Sequence, residues 1–402
     1  MLQTESRGAL MLPLEGITVV ALEQAVAAPF ATRQLADLGA RVIKIERPVT
    51  GDFARGYEEA VHGIAAHHVW LNRSKESLTL DLKHPAAAAI MAVLLKDADV
   101  FVQNLAPGAA ERLGLSADAL TQRYPRLIVC GISGYGTTGP YAAKKAYDLL
   151  VQCEVGVVAI TGTPDTPSKA GISVADLAGG MYAYTGILTA LYQRERTGAG
   201  TALAVSLFDA LGEWMGYPAY YTAYGGRQPA RTGASNAVIA PYGPFACGDG
   251  KTVFLGLQNS REWVRFCAAV LEQPALAADA RFDTNPKRLT NREALHAIID
   301  AVFADMTAEQ VIVRLDRAGI ANARLNSVQE FWDHPQLDAR ERWRTVDSEV
   351  GPLKALIPPV TLRDVEPRMD PIPSLGAHTE PILRSLGYDP AAIEQLRAAG
   401  VI

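Results

Sequence analysis

Short apolar runs and stretches of helical period alternate along the first half of the chain. GITVVAL (16–22) is rich in β-branched residues and reads as a strand. AAPFATRQLADLGA (27–40) follows with Pro29 suited to a first helical turn and Gly39 to its end. RVIKIERP (41–48) is a second strand, so the first fifty residues predict a strand–helix–strand unit with parallel strands. The alternation continues through HPAAAAIMAVLLKDA (helix), DVFVQNL (strand), ERLGLSADALTQRY (helix) and RLIVCGIS (strand). Together these predict an open α/β domain with a parallel sheet. Such sheets bind ligands beyond the carboxyl ends of their strands, which singles out ERPVTGD, QNLAPGA and SGYGTTG.

From about Ala175 the pattern turns helical, with MYAYTGILTALYQRER closed by basic residues and Gly198, and a second helix in SLFDALGEWMGY. Near residue 225 the texture changes. GGRQPARTGASNA is loop-like, and PYGPFACGDGKTVFLGLQ predicts a hairpin turning at Asp249-Gly250. Three helices follow, in SREWVRFCAAVLEQ, NREALHAIIDAVFAD and TAEQVIVRLDRAG, the last opened by Thr307 and Gln310 at capping-box spacing. A proline-rich stretch from Gly351 is expected to return over the surface to the first domain, and AAIEQLRAAG closes the chain as a short helix.

Composition narrows the class of partner. With 402 residues, 49% hydrophobic and 20% charged, the chain can build a large core, and its net charge of −5 leaves no basic footprint for nucleic acid. Small molecules are the expected partners. The opening MLQTESRGALMLPLEG lacks a signal-peptide apolar core, and AAAAIMAVLL, from Ala86, is about half the ~20 residues that span a bilayer. Four scattered cysteines form neither a C-x-x-C nor a disulfide framework. A soluble, cytoplasmic protein without membrane contact is expected.

Candidate chemistry rests on few residues. GYGTTG (134–139) matches G-x-G-x-x-G, but Pro140 follows at once and no carboxylate stands at a strand end about 20 residues on, so a turn capping a strand is favoured over a nicotinamide loop. In KAGISVADLAGGMYAYTG, Asp176 precedes a helix. Its plain reading is an N-cap that accepts backbone N–H groups; its functional reading is a carboxylate nucleophile that carries an acyl group covalently. Gly179 and Gly180 would admit a bulky ligand or a close-packed neighbour. His67 and His68 lack metal-ligand spacing and are expected in surface or packing roles, and neither a G-x-S-x-G elbow nor a P-loop is present. No metal site is expected.

Taken in order, LPLEGITVVALEQ, AAPFATRQLADLGARVIKIERPVTGDFAR, LNRSKESLTLDLK, ADVFVQNLAPGAAERLGL, ISGYGTTGPY, KKAYDLL, KAGISVADLAGGMYAYTGILTALYQRERTGAG, PYGPF and LGAHTEPILRSLGY resemble the class III CoA-transferases, the formyl-CoA and carnitine CoA-transferase type. The resemblance implies a large Rossmann-like α/β domain made from both ends of the chain (1–215 and, after a return linker, 340–402) and a smaller α+β domain (225–335). It also implies an interlocked, ring-like homodimer with the active site between domains.

The family's nucleophile matches Asp176. The resemblance implies CoA contacts from Val26, Ala27, Arg47, Leu82, Lys83, Asn104, Leu105 and Arg112, and an acyl pocket beside Lys145 and Tyr147. Gly134 and Gly136 would lie near that pocket. Where formyl-CoA transferases carry a second glycine-rich loop, this chain reads GLQNSREW; Gln258 and Asn259 are therefore expected to line the pocket, and a formyl or oxalate substrate is disfavoured. No permanent cofactor is implied; the substrates are CoA thioesters and carboxylic acids.

The chain looks closest to the branch acting on short dicarboxylic acids such as mesaconate, itaconate, citramalate, malate or succinate, with succinyl-CoA or another dicarboxylyl-CoA as donor. Arg55, Arg73 and Arg231 are the cations available for a second carboxylate. Asn236 stands where related sequences often carry histidine. The α-methylacyl-CoA racemases resemble the same N-terminal half but use a histidine base where this chain has Tyr147. A phenol is a poor base at neutral pH, so transfer is favoured over racemisation. A non-catalytic acyl-CoA-binding protein on the same scaffold is the other alternative.

Overall fold

The computed structural model describes residues 11–402. Six strands form one parallel sheet: β1 (Thr18–Leu22), β2 (Arg41–Glu46), β3 (Lys75–Thr79), β4 (Val100–Gln103), β5 (Ile128–Ser133) and β6 (Ala202–Ser206), in the spatial order β3-β2-β1-β4-β5-β6. This is the doubly wound order, whose direction reverses between β1 and β4. Register places Val20 beside Ile43 on one side and Phe101 on the other. Val19, Val20, Val100 and Phe101 are fully buried because helices cover both faces, which is why the central strands read as continuous apolar runs.

β1, β2, β4 and β5 are the strands that the pattern predicts; β3 and β6 are not among them. In β3, KESLT, the polar Lys75 and Ser77 are buried in an internal network of charges and so hide the apolar signal. β6, ALAVS, is short and lies in sequence between the long helix Val174–Thr197 and the short helix Leu207–Trp214. The single helix expected in ERLGLSADALTQRY is two, Ala109–Arg112 and Ala117–Arg123. Gly114 adopts φ 70° between them, and the Ser116 hydroxyl caps the second by accepting from the Ala119 N–H.

The C-terminal return packs against the β3 side of the sheet. The Thr379 hydroxyl accepts from the Thr79 N–H at 3.0 Å, and Asp81 N–H donates to the Val401 carbonyl at 2.7 Å. Ile382, Leu383, Ile393 and Val401 complete the apolar cluster of Leu78, Leu80 and Ile90.

The chain divides into two compact units. One holds the residues up to Val155, Gly171–Met215 and Leu337–Ile402; the other holds Gly156–Ala170 and Gly216–Gln336. The second has its own antiparallel sheet, β7 (Tyr242–Ala246), β8 (Thr252–Gly256) and β9 (Ala321–Arg324), over a core that includes Phe245, Trp263, Phe266, Phe282 and Phe303. The β7–β8 hairpin turns at Asp249-Gly250, where Gly250 takes φ 75°, and Thr307 and Gln310 form the expected capping box.

Candidate active site

The topology gathers the candidate residues of the first unit at one edge of its sheet. Val26 and Ala27 follow β1, Arg47 follows β2, Leu82 and Lys83 follow β3, Asn104, Leu105 and Arg112 follow β4, and Gly134 and Gly136 follow β5. All therefore lie beyond strand carboxyl ends, where open α/β sheets take ligands.

Asp176 stands in the first turn of the helix Val174–Thr197, but it does not cap it. The cap comes from another helix: Asp148 Oδ1 accepts from the N–H of Ala175 at 2.8 Å and of Asp176 at 3.3 Å, while its Oδ2 accepts from Gln152 Nε2 at 2.7 Å. The Asp176 carboxylate is thus released from the capping role that the sequence suggests, and no hydrogen bond to it occurs among the described residues. Burial first, and then the neighbouring charge of Asp148, push its carboxyl up to about 7. The positive end of the helix opposes this shift but does not overcome it.

Tyr57, which the sequence reading missed, belongs to the same site. Partial desolvation, followed by the negative charges of Asp52 and Asp176, raises its phenol to about 12, so the half-exposed side chain remains a hydrogen-bond donor at neutral pH. Tyr57 ends the turn Phe53–Gly56, packs edge-on against His67 at 5.5 Å between ring centroids, and is 48% exposed. Tyr147 is 67% exposed at the start of the helix Asp148–Glu154. A large exposed aromatic following G-D-x-x-R-G was the available signal.

The remaining candidates divide by what they touch. Arg47, Lys83, Arg112 and Lys145 are exposed cations. Lys144, by contrast, is engaged with Glu154 and lies 4.1 Å from the Tyr141 ring centroid, which leaves Lys145 as the open cation of the pair. Asn104 holds the loop after β1: its Oδ1 accepts from Gln24 N–H at 2.8 Å and its Nδ2 donates to the Gln24 carbonyl at 2.9 Å. Leu82 and Leu105 pack against the apolar core.

Gly136, at φ 90°, turns the segment after β5, with its N–H on Ser133 Oγ. Gly134 lies so close to Ala146 that a Cβ would meet it at 2.2 Å. Gly179 and Gly180 serve packing: a Cβ at Gly179 would sit 2.4 Å from Leu207 Cδ2, and one at Gly180 2.6 Å from the Ala27 carbonyl oxygen.

The three arginines proposed for a second carboxylate are all engaged elsewhere. Arg55 forms a two-pronged pair with Glu46 at 2.8 and 2.9 Å, and buried Arg73 does the same with Asp37 at 2.8 and 2.7 Å. Arg231, in the second unit, donates to the carbonyls of Thr163, Ala159 and Pro164.

In that unit, Asn259 caps the helix Ser260–Arg265 through the Glu262 N–H, and Gln258 N–H donates to the Glu262 carboxylate at 2.6 Å. Asn236 Oδ1 accepts from the N–H groups of Val238 and Ile239. His68 is buried between Asn72 and the Pro373 carbonyl, and burial pushes its pKa down to about 3. Among the described residues no group of three or more His, Cys, Asp or Glu side chains is placed to hold a metal ion. No helix among them is long and apolar enough to cross a membrane.

A doubly wound sheet whose ligand edge carries exposed cations, with a carboxylate free of hydrogen bonds among the described residues, suits an α/β enzyme of acyl-group chemistry. Residues 14–379 match the profile of CoA-transferase family III, and the chain belongs to that family. It is 34% identical to the succinyl-CoA:glutarate CoA-transferase of Mus musculus over 399 residues, covering 98% of this chain and 91% of that one. It is 37% identical to the acetyl-CoA:oxalate CoA-transferase of Acetobacter aceti over 330 residues, covering 82% and 84%. A crystal structure of a CAIB/BAIF family protein from Brucella suis superposes with a TM-score of 0.81 at 32% identity, covering 94% of this chain and all of that one. The protein is an enzyme of the CoA-transferase type.

Proposed function

We propose that this enzyme moves CoA from succinyl-CoA, or another dicarboxylyl-CoA, to a C4 or C5 dicarboxylic acid, with Asp176 as nucleophile. The observation that carries the reading is the Asp176 carboxylate, held by its helix beside Tyr57 and Tyr147 yet free of hydrogen bonds among the described residues. Its raised basicity suits attack on a thioester, since nucleophilicity grows with pKa once the group is ionised.

The Asp176 carboxylate attacks the donor thioester carbonyl, expelling the CoA thiolate and leaving a mixed anhydride. The thiolate then attacks the Asp176 carbonyl, releasing the donor acid and forming an aspartyl-CoA thioester. The acceptor carboxylate attacks that thioester, which gives a second anhydride and frees the thiolate again. Attack of the thiolate on the acceptor's carbonyl yields the new CoA thioester and regenerates Asp176. One thioester replaces another, so no outside energy source enters, and a site poor in water suffices because water would hydrolyse the anhydride.

The Tyr57 phenol is a fitting donor to the oxyanion that develops at each attack. Arg47, Lys83, Arg112 and Lys145 supply charge for the phosphates of CoA, and Val26 and Ala27 bring backbone at the start of a helix. The dicarboxylate preference follows the glutarate-using relative. We also propose a homodimer and the domain division 1–215, 225–335 and 340–402, with Gly156–Ala170 reassigned to the second unit, where they cluster.

The test is incubation with succinyl-CoA and a panel of glutarate, malate, citramalate, itaconate, mesaconate and oxalate, with CoA thioesters separated by chromatography. A new thioester with a C4 or C5 acid, lost in Asp176→Ala while CoA binding persists, supports the reading. Transfer to oxalate alone would overturn the acceptor class. Exchange of the α-proton of a 2-methylacyl-CoA without transfer would replace the reaction.

A further inference from the structure

Loops at the carboxyl edge of a parallel sheet have no ladder to hold them. Here the loops after β1 and β2 are joined chiefly through the Asp52 side chain, with Gln24 Oε1 also accepting from the Phe53 N–H at 3.4 Å. Asp52 Oδ1 accepts from the Ala25 N–H at 3.0 Å and the Ala54 N–H at 2.9 Å, and its Oδ2 accepts from Lys44 Nζ at 2.7 Å. Lys44 projects from β2 with no exposed surface and also lies 3.4 Å from Glu23, the residue directly after β1. Glu46, at the end of β2, accepts from the Asp52 N–H at 3.1 Å and holds Arg55 through both of its oxygens. A buried pair of this kind adds little net stability over apolar residues of similar volume. Its effect lies in what it fixes.

Both loops lead to the reacting centre. Ala25 takes φ 60°, a left-handed conformation unfavourable to a residue with a Cβ, immediately before Val26 and the helix Ala27–Asp37. Ala54 lies in the turn Phe53–Gly56, which Asp52 caps and which delivers Tyr57. We infer that Asp52, oriented by Lys44, is a positioning residue for CoA transfer: it holds the Ala25 corner and the Tyr57 turn at the separation that the acyl group on Asp176 requires. The inference rests on the reading of Asp176 as nucleophile.

Turnover per folded enzyme and KM for succinyl-CoA test it, measured for Asp52→Ala, Asp52→Asn and the double variant Asp52→Ala/Ala25→Gly, with the folded fraction taken from thermal unfolding. Misplacement of a catalytic group by about an ångström costs up to about a hundredfold, so Asp52→Ala is expected to lose at least about tenfold in kcat/KM per folded molecule. Asp52→Asn keeps an oxygen for Ala25 and Ala54 but turns an amide NH2 toward the Lys44 ammonium in place of its acceptor, so its kcat/KM should fall between those of the parent and Asp52→Ala. Glycine at position 25 adopts the left-handed corner without help and should recover about threefold or more of the loss. Should Asp52→Ala not fold, Asp52→Glu replaces it, since it keeps the charge for Lys44 and displaces the acceptor by one methylene.

A folded Asp52→Ala or Asp52→Glu enzyme with parental kcat and KM overturns the inference. So does a loss equal to the unfolded fraction with no recovery in the double variant. Acylation of Asp176 in the parent enzyme is scored separately. Its absence overturns the nucleophile reading and this inference with it, whereas its presence beside unchanged Asp52 variants overturns the positioning role alone.

Discussion

Asp148 Oδ1 takes the backbone N–H of Asp176 at 3.3 Å, so one carboxylate caps the helix on which the other is carried. The acid that caps accepts from the Ala175 and Asp176 N–H groups and from Gln152 Nε2. The Asp176 carboxyl, part-buried beside it, has its pKa pushed up to about 7 by desolvation and by the Asp148 charge. This division of labour sets the first expected outcome. kcat/KM for acyl-CoA should fall as pH drops through about 7, and Asp148→Asn should move that acidic limb to lower pH by removing the neighbouring charge. A pH series of initial rates from 5 to 9 reads the shift directly.

Stability should respond in the same range. The folded-state pKa of Asp176 lies above the ordinary carboxylate value, so its stabilising contribution is full at low pH, below the unfolded value. It is lost as pH rises through about 7. Asp176→Asn removes a carboxylate that is part-buried and, among the described residues, without a hydrogen-bond partner. Its melting temperature should therefore exceed the parent's at pH 8.5 by a few degrees, corresponding to roughly 1–3 kcal/mol, with little difference at pH 4. Paired thermal melts at the two pH values check the sign.

Gly180→Ala should separate two helices. The added methyl would stand 2.6 Å from the Ala27 carbonyl oxygen and 3.0 Å from Phe30 Cδ1, and backbone atoms have little room to yield. A loss of about 1–3 kcal/mol is expected in urea unfolding. KM for acyl-CoA should rise with it, because the displaced helix starts at Val26–Ala27.

Arg73 and Arg47 should behave oppositely. Arg73→Met leaves the buried Asp37 with Arg33 as its remaining ion-pair partner and should cost about 1–3 kcal/mol of stability, with acceptor preference unchanged in the folded enzyme. Arg47→Ala removes an exposed charge and should leave the melting temperature within a degree or two while raising KM for CoA thioesters about tenfold. Melting curves and KM values for both variants check the contrast.

What the sequence disclosed and withheld follows from distance along the chain. β1, β2, β4 and β5 are legible because burial on both faces selects unbroken apolar runs, whereas β3 is masked by Lys75 and Ser77, whose partners Glu23 and Glu46 lie 52 and 31 residues away. Asp176 stands out through its local setting and its match to a family motif. Asp148, 28 residues earlier, does not, because a cap borrowed from another helix leaves no mark near the helix it closes. Tyr57 escaped for the same reason: its place beside Asp176 is made by the sheet. Which of Arg55, Arg73 and Arg231 faces a distal carboxylate is not legible in the sequence, because charge is visible there and its partners, Glu46, Asp37 and the carbonyls of Ala159, Thr163 and Pro164, are not.

The central claim is the covalent role of Asp176, and intact-protein mass spectrometry after incubation with succinyl-CoA tests it most directly. The account predicts a mass increase from an acyl or CoA adduct, removed by hydroxylamine, mapped by peptide sequencing to Asp176 and lost in Asp176→Ala. Efficient formation of the new CoA thioester with no adduct under single-turnover conditions, or with undiminished rate in Asp176→Ala, would contradict it.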